Sequence, residues 1–258
     1  MMQVGIFTGY FPYELEATAQ KIRKLNFNTV QLDLSFKDMD LSTESITKDK
    51  CRKIRDTFRE HHLPVCCISG YTNIVHPDKD ERKRRLDHLK AIIRHARDLG
   101  SPYVISETGT FATDSDWVHH PKNKTEEGFE DCVNVIRDLV QVAYDHGAVF
   151  LLETYVNNVV GSVNETLRMF AEVDHSALGL LMDPTNYFEA HNIADMDGEL
   201  NRVFNALSDR IKIAHAKDVK LAGADKLKSM PNCSTAPPRA TPSAASARSN
   251  CRPRGSVR

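Results

Sequence analysis

Glu153, Asp183 and His215 each end a short apolar run: Phe150-Leu-Leu-Glu153, Leu178-Gly-Leu-Leu-Met-Asp183 and Ile211-Lys-Ile-Ala-His215. Two carboxylates and an imidazole form a donor set for a divalent cation. Oxygen with one nitrogen suits Mn2+, Mg2+, Co2+ or Zn2+ and does not choose among them. Each residue also has a blander reading. A Glu after four apolar residues can be a buried ion-pair partner. Asp183 precedes Pro184, a common turn dipeptide. A lone His beside an apolar run is more often a satisfied core residue than a ligand. The three together argue more strongly than any one, because each run has the length of a buried strand. If the strands are parallel and close into a ring, their C-terminal ends share one face, where barrel enzymes place their chemistry.

The elements that would position them alternate along the chain. The pattern predicts strands at Val4–Thr8, Thr29–Leu34, Pro64–Ser69, Tyr103–Glu107, Ala148–Thr154, Leu178–Asp183 and Ile211–Ala216. Helices are predicted at Tyr13–Leu25, Thr43–His62, Asp80–Leu99, Thr125–His146, Val163–Val173 and Gly198–Leu207. Leu86, Leu89, Ile93, Ala96 and Leu99 recur at helical spacing. Gly100 and Gly147 stand where helices should stop. Ser162 with Glu165 three residues on reads as a capping box. This order implies parallel strands with right-handed crossovers, an α/β chain. No G-x-G-x-x-G follows the first strand, which disfavours a doubly wound nucleotide-binding sheet. A (β/α)8 barrel is the expected architecture, and 258 residues suit one.

The pattern breaks near the C-terminus. No acidic residue follows Asp225, and Ser229–Arg258 holds no Leu, Ile, Phe, Tyr or Trp. A stretch of Pro, Ala, Ser and Arg cannot bury a core and is expected to be disordered. Residues 1–225 then carry seven βα units, and 226–258 form an aberrant tail where the eighth unit is due. The tail reads either as a flexible basic segment or as a shifted reading frame. The second is favoured, because GC-rich coding DNA read out of frame yields these residues. Seven strands without an eighth would expose two sheet edges, which invites homo-oligomer pairing or aggregation.

Bulk composition excludes some classes. Lys and Arg number 34 against 35 Asp and Glu, so nothing suggests a nucleic-acid or anionic-membrane partner. No apolar run approaches the roughly 18 residues needed to span a bilayer. The N-terminus shows no secretory pattern, and the six cysteines show no C-x-x-C spacing, so a cytoplasmic, reduced setting is expected. Cys66 and Cys67, adjacent on a strand, should face opposite sides.

The strand-end motifs resemble the xylose-isomerase-like TIM-barrel superfamily of sugar and sugar-phosphate isomerases and epimerases. That group also includes inosose dehydratases and endonuclease IV. The resemblance spans about residues 1–225. It rests on Leu-Leu-Glu153-Thr, Leu-Met-Asp183-Pro-Thr-Asn186, Ala-His215-Ala-Lys217-Asp218, Tyr71-Thr-Asn73-Ile-Val-His76-Pro-Asp and Ser106-Glu107-Thr-Gly-Thr. It implies a divalent metal held by Glu153, Asp183 and His215. The family's fourth ligand, a Glu on strand eight, has no counterpart here, and Asn186 stands where relatives often carry His. The implied chemistry is proton transfer α to a carbonyl through an enediolate, with Glu153 as one acid/base. The implied substrate is a small sugar or polyol. Glu107, His76, Asn186, Lys217 and Asp218 are the expected substrate contacts, with ordinary loop or turn roles as the alternatives. The long loop carrying Trp117, His119 and His120 suits a lid; the adjacent histidines are not read as a metal pair. A dehydratase-like lyase fits the same residues. An endonuclease-IV-like nuclease would need more histidines and a basic groove. An inactive, truncated barrel is the third alternative.

Overall fold

The computed structural model describes residues 3–189 and 191–219. Seven strands, β1 (Gly5–Phe7), β2 (Thr29–Leu32), β3 (Val65–Ser69), β4 (Tyr103–Glu107), β5 (Val149–Glu153), β6 (Leu178–Met182) and β7 (Ile211–Ala214), alternate with six helices. The helices are α1 (Leu15–Arg23), α2 (Lys48–Glu60), α3 (Lys79–Arg94), α4 (Glu126–Asp145), α5 (Val163–Val173) and α6 (Met196–Leu207). Every strand pair is parallel, and the order in the sheet is β1 to β7.

The sheet is curled into an incomplete barrel, and one hydrogen bond proves the curl. His215, just past β7, lies 2.7 Å from the Gln31 side chain on β2. Five strand spacings in a flat sheet would separate β2 from β7 by about 24 Å. Residues with odd numbers on β4, β5 and β6 point into the lumen, and the register carries them in layers. Glu107 pairs with Glu153, and Ile105 with Leu151. Cys67, Ile105, Leu151 and Leu181 fill the lumen, each with no exposed surface. The alternate set, including Val104, Phe150, Leu152 and Leu180, packs outward against the helices. Burying each such side chain stabilises the fold by about 1.5–3 kcal/mol.

Local sequence sets the helix starts. Thr47, Asp78, Thr125 and Ser162 each accept a backbone N–H from the first turn that follows. Each satisfies donors that a helix leaves orphaned at its start. Thr47, not Thr43, caps α2, so the helix begins five residues later than the periodicity suggests. α3 ends at Arg94 rather than Leu99, because the chain tightens into successive turns before Gly100. Gly100 has φ 99° and Gly147 φ 65°, a region that disfavours side chains. Gly147 stops α4 as read, whereas Gly100 closes the run of turns after α3 and does not cap the helix itself.

Cys66 and Cys67 depart from expectation. Val30 pairs with Val65, but Gln31 pairs with Cys67, so Cys66 is an extra residue in β3. This bulge cancels the alternation, and both thiols reach the lumen cluster, with Sγ atoms 3.7 Å apart. Among the described residues, β1 and β7 have no strand on their outer edges. The expected tail at 226–258 and the position of an eighth unit lie outside the described residues. No helix among the described residues is long and apolar enough to cross a membrane.

Candidate metal centre

Glu153 is the last residue of β5, Asp183 follows β6, and His215 follows β7. The barrel curl brings their donor atoms within 4.8 Å of one another. His215 Nδ1 lies 3.1 Å from Asp183 Oδ2 and 3.6 Å from Glu153 Oε1. Donors about 2.1 Å from a shared ion stand about 3.0 Å apart at octahedral and about 3.4 Å apart at tetrahedral angles. The three residues therefore fit a divalent cation in spacing and in donor type.

The two carboxylates are 2% and 0% exposed, so their charges need compensation. The chain supplies it with His215 and Lys217, whose Nζ donates to Asp183 Oδ2. Burial opposes ionisation of Asp183, but hydrogen bonds from His215 and Lys217 outweigh it and hold the carboxyl well below its ordinary range. Burial would also lower His215; the facing Asp183 and Glu153 carboxylates outweigh that and push it up to about 9. Lys217 is raised as well, burial being overcome by Asp183.

A polar ring supports the cluster. Gln31, 8% exposed, donates from Nε2 to Ser69 Oγ (3.0 Å) and to the Tyr71 hydroxyl (3.3 Å). Its Oε1 faces His215 Nε2. Tyr71 in turn donates to Glu153 Oε2. Since a carbonyl oxygen only accepts, Nε2 of His215 carries a proton, and Nδ1 is the atom left to face the carboxylates. Asn186 donates from Nδ2 to Glu153 Oε1 at 3.0 Å. Gln31 and Tyr71 were not assigned roles from sequence. The available signal was a lone amide within the buried strand Thr29-Val-Gln-Leu.

The remaining expected contacts are distributed unevenly. Glu107 is 8% exposed and lies beside Glu153 across the β4–β5 pair. It lines a small polar cavity of about 30 Å³ with Tyr71, Asn73, Asp116 and Trp117. The loop above is fixed by buried asparagines: Asn73 binds Thr110 O (2.7 Å), and Asn158 accepts from Gly109 N (3.0 Å). Trp117 packs edge-on against Tyr155, with ring centroids 5.7 Å apart. His76 instead accepts from the Asp78 backbone N–H at 3.2 Å, at the start of α3. Asp218 is exposed and accepts from Val219 N at 2.8 Å.

Curled parallel strands with polar ends gathered on one face define a β/α-barrel protein with a candidate site at the strand termini. The profile of the xylose isomerase-like TIM barrel family matches residues 19–238, most of the chain. The chain belongs to that family. No curated protein matches it in sequence. Among solved structures, it is similar to a xylose isomerase-like TIM barrel protein from Mycobacterium smegmatis in complex with magnesium. That match has 15% identity and a TM-score of 0.65, over 83% of this chain and 74% of the other. A 3-keto-D-glucoside 4-epimerase from E. coli superposes with TM-score 0.63 at 16% identity, over 84% and 80% of the two chains. A probable 3-DHS dehydratase from Bacillus anthracis gives 0.62 at 17% identity, over 89% and 77%. At these identities the likeness shows the fold.

Proposed function

We propose that the protein is a metal-dependent sugar or sugar-phosphate isomerase or epimerase that moves a proton α to a carbonyl. The observation that carries this reading is the buried convergence of Glu153, Asp183 and His215 at three consecutive strand ends. These three residues would hold a divalent cation, which when bound supplies Lewis-acid polarisation of a substrate carbonyl.

The rest follows from the chain. Asp183 and His215 are tied to Thr185, Lys217 and Gln31, which fix their orientation. Glu153 is held by Tyr71 on one oxygen and Asn186 on the other, so its carboxylate is aimed rather than mobile. It acts as the base that takes the α-proton and leaves an enediolate on the substrate. Glu107, its lateral neighbour, is placed to bind a hydroxyl from the cavity side. Lys217, half exposed at the rim, is placed to meet a hydroxyl or a terminal phosphate.

The test is solvent exchange. The purified chain, loaded with Mn2+ and offered a panel of ketopentoses and ketohexoses with their phosphates in D2O, should wash deuterium into one α-position. Glu153→Gln should abolish that exchange while retaining the fold. Exchange that survives in Glu153→Gln would remove Glu153 as the base. A dehydratase on the same residues would instead lose water, giving an unsaturated product visible by absorbance.

A further inference from the structure

Cys66 and Cys67 lie outside the chemistry described above. On a regular strand, adjacent side chains point to opposite faces. The bulge in β3 removes that constraint and turns both thiols toward Tyr103 and Val149 in the lumen. Register places Cys67 level with Tyr103 on one side and with Gln31 on the other, and Cys67 lies close enough to Glu153 to feel its charge. The pair sits in the lumen beneath the polar ring; neither thiol is among the groups that would hold the cation, and the inference does not depend on the proposed reaction.

Two thiolates at about 2.3 Å from one tetrahedral ion stand about 3.8 Å apart. The observed Sγ–Sγ separation is 3.7 Å. A disulfide would require the sulfurs to close to about 2.05 Å between Cα atoms only about 3.8 Å apart, a strained arrangement. Chelation needs no such closure. Cys67 is fully buried, whereas Cys66 is partly exposed and offers the entry. Cys66 Sγ also lies 3.2 Å from Val30 O. The Cys67 hydrogen bond holds the Cys66 thiol down at about 7, a range where a thiolate is available. Cys67, on the other side of that bond, is raised well above the ordinary thiol range by the Cys66 hydrogen bond and by burial, so Cys66 is the sulfur that attacks first. Burial pushes Cys51 up to about 12 and Cys132 higher still, and neither has a thiol partner among the described residues.

We propose that Cys66 and Cys67 form a vicinal dithiol site that chelates a thiophilic ion or metalloid of pyramidal or tetrahedral coordination. Phenylarsine oxide is the probe. Its arsenic forms two As–S bonds, the two thiol protons leave with the arsenic-bound oxygen as water, and no oxidant or reductant is needed.

The full chain is treated with one equivalent of phenylarsine oxide in excess glutathione, which strips arsenic held by a single thiol. Tryptic mapping then locates the adduct, since Glu60–Lys79 carries both cysteines on one peptide. The expected result is one adduct per chain on that peptide, stable to glutathione and released by dithiothreitol. Cys66→Ser and Cys67→Ser should each cut retention at least tenfold. An adduct on other cysteines, one stripped by glutathione, or full retention in either variant overturns the proposal. If the variants fold poorly, the monothiol-against-dithiol competition on the wild type decides alone.

Discussion

Gln31 is the residue whose removal tests the site most sharply. It touches no proposed metal-binding atom, yet its Oε1 receives the His215 Nε2 proton at 2.7 Å. Gln31→Leu keeps the approximate volume and removes that acceptor. A buried hydrogen bond to a group that is charged or polarised contributes about 1.5–3 kcal/mol. Part of that energy fixes the ring so that Nδ1 faces the carboxylates. Loss of such a supporting contact lowers metal affinity by about 10- to 100-fold. The variant also strands Ser69 Oγ and the Tyr71 hydroxyl, so its melting temperature should fall, and stability alone is not diagnostic. Gln31→Glu separates the two effects. It restores an acceptor for His215 and can accept from the Ser69 hydroxyl, while Tyr71 keeps its proton on Glu153. Calorimetric titration of chelator-stripped protein with Mn2+ should show Gln31→Leu weakened at least tenfold and Gln31→Glu within about threefold of wild type. Wild-type affinity in Gln31→Leu, or equal losses in both variants, would refute the positioning argument.

Three further outcomes are expected. Lys217→Met should tighten Mn2+ binding about two- to fivefold, because its ammonium competes for Asp183 and a half-exposed ion pair is worth about 1 kcal/mol at most; unchanged or weaker binding in the same titration would contradict this. Gly109→Ala should cost about 2–4 kcal/mol in urea unfolding, since its φ is 77° and the new Cβ would stand 2.1 Å from Asn73 Oδ1. Asp40 is held down at about 2 by hydrogen bonds from Ser45 and Ser42. Its depressed value means that its contribution to stability is present above pH about 4 and is lost as pH falls toward about 2. Asp40→Asn should therefore flatten the acid limb of a melting-temperature profile, and an unchanged limb would assign acid lability elsewhere.

The parts of this architecture visible in sequence are those written in local pattern. Strands β4, β5 and β6 are short apolar runs, and their polar terminators needed only the barrel assumption to be grouped. The capping residue Ser162 and the stop at Gly147 are legible because each satisfies a backbone requirement within a few residues. What was hidden depends on contacts between distant elements. Gln31 reads as an ordinary polar residue until the curl shows that it faces the lumen opposite His215. Asn73, Asn123 and Asn158 look like loop composition, yet they fix the loop over the cavity through bonds to Thr110, Phe111 and Gly109. The β3 bulge leaves no mark in the sequence, because an extra residue is defined only against the register of β2.

Charge arithmetic explains why the Lys217 position matters. Asp183 and Glu153 bring two negative charges into a site with almost no exposed surface. Protonated His215 and Lys217 balance them, which is why His215 rises to about 9. A divalent cation brings the same two positive charges. Its entry is nearly neutral in charge only if His215 yields the Nδ1 proton and Lys217 releases Asp183. His215 cannot leave, since Gln31 holds its other nitrogen. Lys217 can, because its side chain is 46% exposed and reaches water on release. The ammonium freed in this way would remain at the exposed edge of the site. A residue that shields the carboxylates would thereby become free to meet an anionic or hydroxyl group once a cation is bound.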